Sequence, residues 1–141
     1  MRKQKIYVLL VLPLLTFADL NIEQINSVLS AIKSNSKQIS YYTADKSLFT
    51  KLHLHKSTSQ ENADILLFPK NQHSDKMIIV DSYSSLKKSK SSIGAIYIKK
   101  GRTQIMFVEE RLKAKGLELP NKYKKYIIKE CYLKEFCFLN K

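Results

Sequence analysis

Glycine is scarce in this chain: Gly94, Gly101 and Gly116 are the only three in 141 residues. A loop that wraps a phosphate with backbone N–H groups needs several glycines within a few positions, so the common nucleotide-binding loops are excluded. Serine is plentiful, but none sits in Gly-x-Ser-x-Gly, which excludes the hydrolase nucleophile elbow. Arginine is as rare as glycine, with three among 25 basic residues. Nucleic-acid sites lean on arginine's planar donors and on clustered aromatics, so nucleic acid is not expected as a partner. The two cysteines, Cys131 and Cys137, lack CxxC spacing and have no neighbouring histidine, which argues against a thiolate redox or metal centre. The apolar run Ile6–Phe17 is twelve residues long, well short of the roughly twenty that cross a bilayer.

That short run is nonetheless informative. Arg2, Lys3 and Lys5 precede it, and Thr16-Phe17-Ala18 closes it with small residues at the two positions a signal peptidase reads. A basic start, a short greasy middle and a small-residue exit are the plan of a secretory signal. Pro13 inside the run fits a cleaved segment better than a lasting span. Cleavage is expected after Ala18, with no cysteine there to carry a lipid. Residues 19–141 then form one domain of 123 residues, enough to bury a core. An exported, periplasmic protein is the expectation.

Three of the thirteen excess positive charges lie in the signal, which leaves +10 on the remainder. The lysines are scattered, as on a solvated surface, although such a field also favours acidic partners. In an oxidising compartment an even cysteine count suggests a bridge. Positions six apart lie on opposite sides of a continuous helix, so a Cys131–Cys137 disulfide requires helix to end between them.

Asn21, with Gln24 three positions on, caps a helix expected over Ile22–Ser34, whose apolar stripe is Ile22, Ile25, Leu29 and Ile32. Gln38–Thr43 reads as a strand, and Leu48, Phe49 and Leu52 as a short helix. Asp64–Phe68 and Met77–Val80 are apolar on both faces, as interior strands of a helix-covered sheet are. Ser85–Lys90 is a further short helix. Ile93–Ile98 and Thr103–Val108 flank a glycine turn and form a hairpin. Glu109–Lys115 is a helix with acids first, bases last and Gly116 as its stop. Leu119-Pro120 opens a closing helix, with Tyr123, Tyr126, Ile127 and Cys131 as its buried stripe. This order predicts a single-domain α/β three-layer sandwich, a mixed sheet of about five strands with helices on both faces.

The second half carries a recognisable succession. Gly94-Ala95-Ile96-Tyr97-Ile98 is followed by a turn through Lys100-Gly101-Arg102 and by Ile105-Met106-Phe107-Val108. Leu112 comes next, and then Gly116-Leu117-Glu118-Leu119 before an apolar segment. With Tyr41–Phe49 and Ala63–Phe68 as first and second strands, this resembles the YfiR-like family of small periplasmic domains. The chain departs from the family pattern at Ala63 and Asp64, where a Cys-His pair is common, and at Val108, where Asn is frequent. The resemblance implies a fold like half of a periplasmic binding protein. It also implies a regulatory or ligand-sensing role through contact with a membrane signalling protein, and no catalysis.

Three constellations remain as candidate sites. In open α/β sheets ligands bind outside the carboxyl ends of the strands. That places Thr43, Asp45, Lys46 and Ser47 after one strand, and Asp81, Ser82, Tyr83 and Ser84 after another, around a small anion. The same side chains would equally serve as helix caps. His53 and His55 share one face if they lie on a strand, and His73 is a third possible metal ligand, although no carboxylate has matching spacing. Tyr97, Tyr123, Tyr126 and Tyr132 form a candidate partner surface, or fill the margin of a core. Glu109 and Glu110 are adjacent on a helix, so they do not converge on one substrate. The reading is a non-enzymatic periplasmic binding or signalling domain with no cofactor. Its partner is a membrane signalling protein or a small anionic ligand, and its oligomeric state is open. The alternatives are a solute-binding component for a small anion and a metal-handling protein.

Overall fold

The computed structural model describes residues 19–72, 75–135 and 137. The expected export signal at 1–18 and His73 lie outside the described residues.

Helix α1 spans Ile22–Ala31, and the Asn21 carboxamide accepts the Gln24 backbone N–H, as the capping pattern predicts. It buries Ile25, Val28 and Leu29. The helix stops three residues before the expected Ser34. Ile32 turns extended to enter the core, and Lys33–Ser34 forms strand β1. The expected strand over 38–43 contracts to β2, Tyr41–Tyr42. The residue before it, Ser40, gives its N–H and hydroxyl to the Asp64 carboxylate. Helix α2 follows at Lys46–Lys51, capped by Asp45.

Strands β3 (Ile65–Leu67) and β4 (Met77–Val80) lie side by side in parallel, in register Ile65↔Met77 to Leu67↔Ile79. Helix α3 covers Tyr83–Lys88, two residues earlier than expected because Ser82 caps it. Strands β5 (Ser92–Lys99) and β6 (Arg102–Val108) make the hairpin. Its two-residue turn puts both Lys100 (φ 51°) and Gly101 (φ 75°) in the left-handed region, the geometry that matches strand twist. Gly94 answers a different demand: a Cβ there would stand 2.5 Å from the Met106 carbonyl oxygen and 2.6 Å from the Phe107 ring.

Helix α4 spans Glu109–Ala114, and β7 is Leu117–Glu118. The closing helix expected from Leu119-Pro120 does not form. The chain makes a 3-10 turn at Asn121–Tyr126, strand β8 at Ile127–Ile128, and a second 3-10 turn at Glu130–Leu133. Ile127 packs on one side of the sheet and Ile128 on the other. Only a strand sends consecutive side chains to opposite faces, so tertiary packing selects it over a helix. Of the expected buried stripe, Tyr123, Tyr126 and Ile127 are half-buried and Cys131 is exposed.

The main sheet is mixed and has six strands, in the order β2-β3-β4-β5-β6-β8, against about five expected. β2 to β5 are parallel, β6 runs antiparallel to β5, and β8 is parallel to β6. β1 and β7 pair separately. One face of the sheet, with Ile65, Leu67, Ile79 and Phe107, packs against α1, α2 and α4 through Leu29, Leu48 and Leu112. The other, with Leu66, Ile78, Val80 and Val108, packs against Leu86 of α3 and Leu133. This is the α/β sandwich that the element order implied.

Candidate functional site

The strand-end rim resolves into two separate helix starts. After β2, Thr43 is buried and its hydroxyl accepts the Asp45 N–H at 3.3 Å. The Asp45 carboxylate in turn accepts the Leu48 N–H at 3.0 Å. After β4, the Ser82 hydroxyl accepts the Ser85 N–H at 3.0 Å, and the Tyr83 hydroxyl donates to the Tyr132 carbonyl. Lys46, Ser47, Asp81 and Ser84 are exposed. β3 stands between the two groups, so they are about two strand spacings, roughly 10 Å, apart. Thr43, Asp45 and Ser82 thus accept local backbone N–H groups as caps, and the Tyr83 hydroxyl is given to a carbonyl.

His53 and His55 are exposed, and the segment between α2 and β3 that carries them is irregular. Its backbone is used: the His53 N–H donates to the Asn26 side chain, and the His55 carbonyl accepts the Tyr41 N–H. Among the described residues no three His, Cys, Asp or Glu side chains are grouped to hold a metal. Cys131 and Cys137 lie at disulfide distance with Cα atoms 4.8 Å apart, and the 3-10 turn ends between them, at Leu133.

The four tyrosines do not make one surface. Tyr97 packs beside the second core cluster, and Tyr132 is exposed in the second 3-10 turn. Tyr123 and Tyr126 stack with centroids 6.2 Å apart, and the ammonium groups of Lys122 and Lys125 lie over their respective rings. The Tyr126 hydroxyl accepts from the Gln24 carboxamide, which fastens this pair to α1.

A cavity of about 650 Å³ opens elsewhere, between α4, β7, the 121–126 turn and β8. Because β6 and β8 run against the other strands, their carboxyl ends lie at the opposite edge of the sheet from those of β2 to β5. Glu109 and Lys129, which follow β6 and β8, bring one end of the cavity to this second carboxyl edge, and most of the rest of its lining runs along the crossover from α4 to the 121–126 turn. Leu112, Leu117 and Leu119 form its floor as members of the larger core, with Ile127 half-buried beside them. Glu109, Lys113, Lys124 and Lys129 stand at its charged side. Lys113 reaches the Glu109 carboxylate at 3.1 Å. That hydrogen bond and the Lys113 charge hold the Glu109 carboxyl below its ordinary range, and Lys129 and Lys124 add to the effect.

No role for Arg111 was read from the sequence; it lies on α4 outside the cavity lining. From the same helix α4 its guanidinium meets both Glu130 oxygens at 2.8 Å. Its third nitrogen donates to the carbonyls of Leu86, Ser89 and Ser92. One side chain thus ties the end of α3, the start of β5 and the second 3-10 turn to α4. The available signal was scarcity: a lysine-rich chain that spends an arginine uses the planar five-donor fork. Glu110 accepts the Glu130 N–H at 2.7 Å, so the adjacent acids Glu109 and Glu110 serve different neighbours.

Compared with known proteins, the chain matches no family model, no curated protein and no solved structure.

Proposed function

We propose that the chain is a non-enzymatic binding or signalling-regulator domain, exported and cleaved after Ala18, of the kind its resemblance to YfiR-like periplasmic proteins implies. The observation that supports this reading is the open cavity between α4, β7 and the 121–126 turn, whose size falls within the range of small-ligand sites. Of the two carboxylates that line it, Glu109 is poorly suited to acid–base chemistry, because its ion pair with Lys113 holds it ionised. A general acid or base works best with a pKa near the working pH. In this reading a solute enters the cavity, and its occupancy is passed to a membrane partner through the surface of α4 and the 121–133 segment. The alternative, a solute-binding component for a small anion, uses the same cavity and no signalling partner.

The test is methyl NMR of the protein with a fragment library that spans anionic, neutral and cationic compounds. At least one fragment is expected to move the Leu112, Leu117 and Leu119 methyls together. Fragments that shift methyls elsewhere and never these three would remove the reading. For the signalling arm, an adjacent gene for a membrane kinase or cyclase supports regulation, whereas an adjacent permease supports transport.

A further inference from the structure

We propose that the cavity beside α4 selects a soluble organic anion with an apolar body: the body on the leucine floor, and a carboxylate or phosphate head held by Lys124 and Lys129. The inference rests on the binding reading above and names its ligand class.

The charges around the cavity do not balance: its lining holds two acids and three lysines. Glu109 is bridged by Lys113, and Glu118 of β7 lies opposite Lys33 of β1 in the antiparallel register without a salt bridge among the described residues. Lys124 and Lys129 are left over: among the described residues neither is in a salt bridge. Both line the cavity together with Glu109, and their charges help to lower its carboxyl. An anion placed there is attracted by two lysines and completes the alternation that Glu109 begins. The floor asks for something different. Leu112, Leu117 and Leu119 are buried core members that open only a narrow apolar edge to the cavity, half-buried Ile127 extends it, and covering that edge is favourable. A bare inorganic ion would leave the floor wet, and a neutral apolar molecule would leave the lysines unanswered. An amphiphilic anion meets both demands within about 650 Å³.

Calorimetry and methyl NMR with four probes test this: octanoate, octanol, octylammonium and inorganic phosphate. Octanoate should bind at least tenfold more tightly than the other three and shift the floor methyls. The Lys124→Gln/Lys129→Gln double variant should melt like the parent and lose at least tenfold in octanoate affinity, while Lys46→Gln, on the other sheet edge, should lose nothing. Octanol or octylammonium binding as well as octanoate would overturn the charge selection yet leave a working cavity. Phosphate binding as well as octanoate would overturn the apolar body. If none of the four reaches the floor methyls, the ligand class is wrong, and the binding reading is then judged by the wider fragment library alone.

Discussion

At the scale of single residues, Arg111 concentrates the most consequence in the fewest atoms. Its side chain is 10% exposed, and it serves a carboxylate and three backbone carbonyls. Glu130 is 30% exposed, so water takes over part of the lost pairing, and removing Arg111 leaves the three carbonyls without this donor at a cost of about 1–3 kcal/mol. Arg111→Ala should therefore lose roughly that much in urea unfolding. Arg111→Lys keeps the charge without the fork and should recover only part of the loss. A lysine variant as stable as the parent would contradict the geometry. Its partner gives a pH dependence. The Arg111 hydrogen bond holds the Glu130 carboxyl below its ordinary value of 4.5. A carboxyl whose pKa is lower folded than unfolded contributes stability above its unfolded value, and loses it as pH falls through the folded one. The stability gap between parent and Glu130→Gln should be full at neutral pH and shrink on acidification below about 4.5. Asp64 behaves alike: burial pushes its carboxyl up, but hydrogen bonds from Lys37 and Ser40 outweigh burial and leave it lowered. A gap that grows in acid would show that the Arg111–Glu130 contact does not stabilise the fold.

At the scale of elements, the two apolar runs became neighbouring interior strands. Leu66 and Ile79 are 2% and 0% exposed, in opposite faces of the sheet. A charge at either position is buried without a partner, and Leu66→Asp or Ile79→Asp should prevent folding. Lys46→Glu, exposed at the start of α2, should leave the melting temperature nearly unchanged. Thermal unfolding by circular dichroism separates them; a Leu66→Asp protein that melts like the parent would falsify the buried sheet. Elements with their own local signal were legible beforehand. Asn21 and its apolar stripe marked α1, Gly101 marked the hairpin, and the Glu109–Lys115 charge order marked α4. The tail was not legible. Tyr123, Tyr126, Ile127 and Cys131 follow helical spacing as well as any core helix does. Nothing local reveals that β6 has an open edge waiting for Ile127 and Ile128. The rim residues were placed at strand ends as expected, but Asp45 and Ser82 proved to be caps. The cavity beside α4 was not read from the sequence because segments from Asn35 to Lys129 come together to line it.

At the scale of the whole molecule, export is the prediction that fixes where everything else operates. Mass spectrometry of the secreted protein should find its N-terminus at Asp19, and a full-length chain retained in the membrane would contradict it. The sequence alone determined what is written within a turn or two of chain. It carried the caps, the glycine turn, the apolar strands of a covered sheet, the α/β class, and a cysteine pair whose bridging needs helix to end between its members. These follow from backbone sterics and from burial of contiguous side chains, which short stretches carry by themselves. The tertiary structure decided what depends on distant partners. It brought β8 onto β6, put Arg111 of α4 against carbonyls about twenty residues earlier, and set the second carboxyl edge opposite the first. The physical reason is the same in each case. A hydrogen bond or an apolar contact across the sheet is worth as much as a local one, yet which residues meet is settled only once every strand has taken its place and direction.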